Sequence, residues 1–282
     1  MFAVNGIPQL EDTSTPTYLE FGEKWTGSIK DFEKLNEIHS LSAVRFIDVS
    51  LRAKDLGFLK TLSGLQYVGL SDLKFKSGKL TDIELPPDVV SVELGGCPIT
   101  NKTIDWLADT QMTSLIVSNC EMSKAAMSSI DKLRNLQAMD LRSTDLEKVI
   151  FEKWNEMQNL QRVYMSLCKF DPAGYRLIDR VRRQNFIVFN PTSFLGVQGS
   201  RGSGVPCQLD LVVSESGADK GGLKPGDTIV EVNDDPIQSF DELRMFISQY
   251  EPGEKLRLKV QRGAETLDLV TELGANTNRP IR

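Results

Sequence analysis

The sequence predicts an α/β solenoid followed by a small mixed β/α domain. Three observations carry that expectation. An apolar pattern recurs every 23 or 24 residues from Leu41 to Phe170, the period is lost after Asn190-Pro191, and short apolar runs broken by turn residues then continue to residue 274. The 282 residues, 40% apolar and 26% charged, suffice for two domains at roughly 100–200 residues each.

Aligned on L-x-x-L-x-L-x-x-C/N-x-L, the first copy is Leu41, Val44, Phe46, Val49 and Leu51, and the second Leu65, Val68, Leu70, Leu73 and Phe75. The third is Val89, Val92, Leu94, Cys97 and Ile99, and the fourth Met112, Leu115, Val117, Cys120 and Met122. The fifth is Leu136, Met139, Leu141, Thr144 and Leu146, and the sixth Leu160, Val163, Met165, Cys168 and Phe170. A decayed seventh holds Ile187, Phe189, Thr192 and Phe194. Each copy predicts a short strand whose alternate side chains face inward. The stretches between show helical spacing, in Ile104 and Leu107; Met127, Ile130 and Leu133; Ile150, Trp154 and Met157; Leu177, Ile178 and Val181. One such unit cannot bury its own apolar face, so the units must stack. Residues 1–40 read as an N-terminal cap, on Tyr18, Phe21, Trp25 and the spacing Ile29, Phe32, Leu35, Ile38. Pro86-Pro87 interrupts the helix before the third strand, so the convex side of the second repeat is expected to be irregular.

Residues 41–190 resemble the leucine-rich repeat family, most closely in Cys97-Pro-Ile99-Thr100-Asn101-Lys-Thr-Ile104-Asp-Trp-Leu107-Ala108, which is similar to its cysteine-containing subtype. Val49, Leu73 and Thr144 depart from the Cys/Asn position. Cys97, Cys120 and Cys168 share one repeat position and read as small thiols filling the turn beneath the strands. A Cys97–Cys120 disulfide is possible by distance, with adjacent strands ~4.8 Å apart, yet the two side chains would run parallel rather than face one another. No C-x-x-C pair is present and the sole histidine, His39, precedes the first strand, so neither metal nor cofactor is expected.

The second domain spans 191–274, with a polar tail at 275–282. Asn233-Asp-Asp-Pro236 is a turn between strands, and Ser239 with Glu242 is a capping box opening a helix that carries Leu243, Phe246 and Ile247. Pro252-Gly253 turns the chain into the alternating strand Leu256, Leu258, Val260, and Arg262-Gly263 hairpins into Leu267 and Leu269. With Phe194-Leu195-Gly196-Val197 and the run from Leu209 to Asn233, this order and spacing resembles a PDZ domain of the bacterial HtrA type. Gly221 stands where alanine is usual, and Asp234 where the turn usually has glycine.

That resemblance implies that the N–H groups of Leu195, Gly196 and Val197 form a nest for a terminal carboxylate, and that the strand after them pairs with an extended peptide. Phe194, Leu195, Gly196, Val197, Leu243, Phe246 and Ile247 are then the expected peptide-binding residues, for partners with apolar C-termini. The bland reading of the three helix residues is plain core. On the repeats, strand residues between the ladder positions face the concave side, where Tyr67, Glu93, Asp140, Arg142, Arg162 and Tyr164 are the aromatic and charged candidates. Asp140 can equally well neutralise Arg142 or Arg162 on a solvated face. Phe194 fits both the last ladder and the carboxylate loop, so a boundary with almost no linker is expected, the second domain closing the end of the repeats.

A net charge of −6 is the wrong sign for neutralising phosphates, so nucleic acid is not an expected partner. No apolar run reaches the ~18 residues of a membrane span, and no signal peptide is visible, which sets the default location as cytoplasmic unless a longer product exists. HtrA-type PDZ domains accompany serine proteases, yet a triad needs a base, and His39 is the one histidine. Gly202-Ser203-Gly204 reads as a hairpin loop, and the loop around it lacks the lysine of a phosphate loop. The expected function is therefore a non-catalytic interaction scaffold. The alternatives are a regulatory fragment of a larger HtrA-like protease or membrane-anchored signalling protein, and a PDZ domain acting only as a structural cap.

Overall fold

The computed structural model describes residues 2–3, 17–25, 29–178, 186–200 and 205–276. The chain divides into two compact units, Met1–Val163 with Ala173–Asp179, and Tyr164–Pro172 with Arg180–Arg282.

The first unit is built on a parallel sheet. Its strands are β1 (Phe2–Ala3), β2 (Thr17–Phe21), β3 (Leu41–Ile47), β5 (Tyr67–Ser71), β7 (Ser91–Gly95), β8 (Ser114–Ser118) and β9 (Ala138–Arg142), neighbours in that order, while β4 (Ser50–Arg52) and β6 (Lys74–Ser77) pair separately. The register repeats the sequence step: Val44 lies against Val68, Val68 against Val92, Val92 against Leu115 and Leu115 against Met139. These ladder residues, with Phe46, Leu70, Leu94, Val117 and Leu141, are fully buried. The segment expected as a cap contributes a strand of its own, β2, with Phe21 opposite Phe46. Phe21, Phe32 and Phe46 form an aromatic cluster with centroids 5.1–5.5 Å apart.

β3, β5, β7, β8 and β9 are each followed by one residue with left-handed backbone, at Asp48, Asp72, Gly96, Asn119 and Ser143. Asp, Asn and Gly tolerate that conformation best. The N–H of this residue then donates to the carbonyl ending the following strand: Asp48 to Ser71 at 3.1 Å, Asp72 to Gly95 at 2.9 Å, Gly96 to Ser118 at 3.0 Å and Asn119 to Arg142 at 2.8 Å. The segments connecting the strands change along the chain. Ala53–Thr61 and Leu80–Asp82 are 3-10 helices, followed by α1 (Asn101–Ala108), α2 (Lys124–Ser128), α3 (Lys148–Glu156) and α4 (Pro172–Arg176). The irregular second repeat holds Pro86-Pro87, which lack the N–H groups a helix needs. Val181, expected on the last helix, lies outside the described residues. The four cysteines are free thiols, with Cys97 half-buried and its Sγ 3.9 Å from that of Cys120.

In the second unit, the end of β10 (Arg162–Ser166) runs beside β11 (Ile187–Phe189), Asn190 N donating to Met165 O at 2.8 Å. Two small antiparallel pairs follow, β12 (Ser193–Phe194) with β19 (Gly274–Ala275), and β13 (Val197–Gly199) with β14 (Leu209–Val212). A four-stranded antiparallel sheet joins β16 (Asp235–Pro236), β15 (Thr228–Val232), β17 (Lys255–Arg262) and β18 (Glu265–Glu272). Two short helices complete it, α5 (Gly217–Lys220) and α6 (Phe240–Ile247). Asn233 and Asp234 both have positive φ, 49° and 71°, a tight turn in which Asp234 does the work of the usual glycine. Phe194, claimed by two patterns, is 39% exposed and pairs with β19, so it belongs to the loop and not to a buried ladder. Among the described residues no helix is long and apolar enough to cross a membrane.

Two consequences are measurable. Ser143 is exposed and has φ 46°, a conformation that costs an ordinary L-residue about 1–2 kcal/mol. Ser143→Gly is expected to gain about 0.5–1 kcal/mol in urea denaturation, after the extra chain entropy of glycine is subtracted. Asp227 is 1% exposed, and Arg262 Nε and Nη2 donate to its two oxygens at 2.7 and 2.8 Å. Those hydrogen bonds hold its carboxyl below the usual carboxylate range. The stabilisation is therefore complete above the unfolded value near ~3.9 and is lost as pH falls through the lower folded one. Arg262→Ala should be less stable than the parent at pH 7 and should lose less stability between pH 7 and pH 3.

Candidate functional site

On the first sheet, Glu93 is 7% exposed and accepts from Arg45 Nη2 at 2.5 Å, from the Tyr67 hydroxyl, and from Ser71 Oγ at 3.4 Å. Arg45 also reaches Glu20 at 3.4 Å, and Tyr18 donates to Glu20 at 3.2 Å. Arg45 stands on β3 and Glu93 on β7, with Gly69 of β5 opposite both. A Cβ on Gly69 would lie 2.6 Å from Arg45 Cγ, so glycine is what lets the guanidinium cross the middle strand. Burial, and then Glu93, push the Tyr67 phenol well above its ordinary value, and burial takes Tyr18 to about 12. Asp140 pairs with Arg142 at 2.5 Å, the neutralising arrangement. Arg162 is exposed, and Tyr164 is half-buried in the second unit. Of the six concave-face candidates, Tyr67 and Glu93 are thus bonded to each other, and Asp140 and Arg142 to each other. Sequence reasoning missed Glu20 and Tyr18 as members of this network, because they lie in the segment taken for a cap.

In the second unit two contacts tie the segment that carries Phe194 to Val197 to the helix that carries Leu243, Phe246 and Ile247. The site a Cβ would take on Gly199 lies 2.8 Å from the Phe240 ring, and Ser193 Oγ donates to Ile247 O at 3.0 Å. Residues 193–199 and α6 therefore lie side by side, running in opposite directions, with Leu195 to Val197 between those two contacts. Gly196 O accepts from Val213 N at 2.8 Å, and Leu195 O from Ala218 N at 2.9 Å. The alternation of an antiparallel pair then turns the N–H and C=O of Val197 away from β14, toward an edge that carries no further strand among the described residues. Gly196 has φ 92°, and a Cβ there would sit 2.2 Å from Ser216 Cβ, so both backbone and space demand glycine.

Side-chain burial is uneven. Leu195, Leu243, Phe246 and Ile247 are 2%, 0%, 2% and 7% exposed, whereas Val197 is half-buried and Phe194 is the exposed apolar group of the loop. Phe240 is a weaker candidate by the same resemblance, and Ser216 is not among the candidates. Ser216 caps α5 by accepting from Asp219 N, and that Ser-x-x-Asp spacing was its sequence signal. Glu242 accepts from Gln238 N at 2.8 Å while its own N–H donates to Ser239 Oγ at 3.3 Å, closing the expected cap one residue early.

A family model described as a PDZ domain matches residues 193–273. These residues form a PDZ domain of the HtrA type. The chain is 39% identical over 67 residues to the periplasmic pH-dependent serine endoprotease DegQ of Escherichia coli (strain K12), which covers 24% of this chain and 15% of that one. It is 40% identical over 63 residues to a probable periplasmic serine endoprotease, DegP-like, of Hahella chejuensis, covering 22% and 13%. Among solved structures, the HtrA3 PDZ domain bound to a phage-derived ligand is 24% identical, with TM-score 0.26, covering 32% of this chain and 95% of that one. The HtrA-type protease AlgW with decapeptide is 21% identical, with TM-score 0.28, covering 31% and 30%. The matched stretch is thus about a seventh of the length of these curated relatives, and no catalytic segment is among what matches. Among the described residues no cluster of three or more His, Cys, Asp or Glu could hold a metal.

The PDZ loop makes a sharp prediction. Gly196→Ala should lower peptide affinity at least tenfold in titration calorimetry. Ser216→Gly in the same chain should recover part of that loss, because it removes the clash and leaves the positive φ. Full affinity in the single variant would contradict the loop geometry.

Proposed function

We propose that this chain recognises the free C-termini of peptides, by adding an extended segment to the open edge of β13 beside α6 with its carboxylate on the N–H groups of Leu195, Gly196 and Val197. The observation that carries the reading is the edge itself, a short strand with outward N–H and C=O groups between a positive-φ glycine loop and an apolar helix. Phe194 and Val197, the least buried apolar side chains of the loop, meet the terminal side chain first. Leu243, Phe246 and Ile247 form the floor beneath it, reached only where the helix shifts.

The relatives favour a regulatory setting. Both are serine endoproteases matched in their PDZ region, which supports reading this chain as the peptide-sensing, non-catalytic part of an HtrA-like system. A catalytic segment in the same genomic reading frame would bear that out. The scaffold reading draws on the first unit. Its 23- to 24-residue register, with left-handed turns after β3, β5, β7, β8 and β9, supports a leucine-rich repeat solenoid at 41–190 that offers a partner the exposed Arg162 and the Asp140–Arg142 pair.

The test is a screen of the intact chain against peptides with free C-termini, repeated with the same peptides amidated. Binding lost on amidation is expected, with a preference for apolar terminal residues. Equal binding of both forms would overturn the carboxylate site.

A further inference from the structure

We propose that the turn Leu167–Phe170 is a positioning element for α6 and, through α6, for the peptide groove; the second half of the proposal rests on the groove reading above. Leu167 occupies the left-handed turn position of the sixth repeat, with φ 56°. Its N–H donates to Ser248 O at 2.7 Å, the residue that caps α6. At Asp48, Asp72, Gly96 and Asn119 the equivalent N–H goes to the carbonyl ending the next strand. Here the end of the PDZ helix supplies that carbonyl. Leu167 is also the residue least suited to the position, which the earlier turns fill with Asp, Gly, Asn or Ser.

Four further contacts converge on the same helix end. Phe170 N donates to Gln249 Oε1 at 3.2 Å, and Gln249 is 6% exposed. The Lys169 ammonium donates to Gln249 O and lies 4.2 Å from the centroid of the Tyr250 ring. Ser193 Oγ takes Ile247 O. A helix leaves its last carbonyls without internal partners, and those following α6 are met by groups from outside it, one of them a cation placed where the helix dipole favours it. This is the end of α6 that lies beside the carboxylate loop. Displacing it to admit a peptide must therefore strain the turn, and by linkage the state of the turn sets the affinity of the groove.

The experiment uses the intact chain, with Lys169→Ala, Gln249→Ala and the conservative Lys169→Arg. Amide hydrogen exchange is followed by mass spectrometry, and a decapeptide ending in a free valine is titrated by fluorescence. In the two alanine variants the amides of 243–249 should exchange about tenfold faster while those of β17 and β18 stay unchanged, and decapeptide affinity should fall about fivefold. Lys169→Arg, which keeps a cation over Tyr250, should restore both. Unchanged exchange in both alanine variants overturns the positioning role, and faster exchange with unchanged affinity overturns its link to the groove. If the parent chain binds no decapeptide while the alanine variants still exchange faster, the positioning of α6 stands and the groove reading falls.

Discussion

The structure depends on one recurring hydrogen bond, from the N–H of a left-handed turn residue to the carbonyl that ends the following strand. Asp48, Asp72, Gly96 and Asn119 each make it, at 2.8–3.1 Å. It marks where β5, β7, β8 and β9 stop, and so holds the register in which Val68, Val92, Leu115 and Met139 stack into one continuous apolar wall. Apolar burial supplies the driving force, at about 25 cal/mol per Å². The turn decides which residues receive it, because a slip of one residue would send every ladder side chain to the opposite face.

The same device reappears at Leu167 with a different acceptor, Ser248 at the end of α6. A bond that elsewhere joins one strand to the next there joins a repeat turn to the helix flanking the candidate groove. The PDZ unit is accordingly more than residues 193–273: its compact body includes Tyr164–Pro172. Its other end is set by Phe240 against Gly199, and its loop by Gly196 against Ser216. Between these fixed points lies a short free edge whose chemistry suits an extended peptide with a terminal anion. Leu243 and Phe246 are buried, so in the proposed reading a bulky terminal side chain enters at a cost to helix position.

Much of this was legible in the sequence, for physical reasons that differ by element. The strand ladders were visible because burial on one side imposes an apolar residue at every second position, and the PDZ turns because Asn233-Asp234, Ser239 and Pro252-Gly253 are chosen for backbone geometry. The left-handed turns went unseen. Asp48, Gly96, Asn119 and Ser143 share no hydropathy, only tolerance of positive φ, and Leu167 lacks even that. The strand at Thr17–Phe21 was read as a cap because its copy lacks the later half of the pattern. Glu93 looked like an exposed anchor until the strand register brought Arg45 across Gly69 to meet it. For α6, 3.6-residue spacing identified the helix and could not say which apolar residues a ligand would reach.

The central claim is that Ser248 stands in for a strand end at the sixth turn, and it can be observed without any ligand. A through-hydrogen-bond scalar coupling between the Leu167 amide nitrogen and the Ser248 carbonyl carbon, sought by NMR on the deuterated intact chain, is the direct measurement. The account predicts a resolved coupling comparable to that of the Asn119 to Arg142 bond in the same spectrum. A clear Asn119 coupling with none at Leu167 would contradict it.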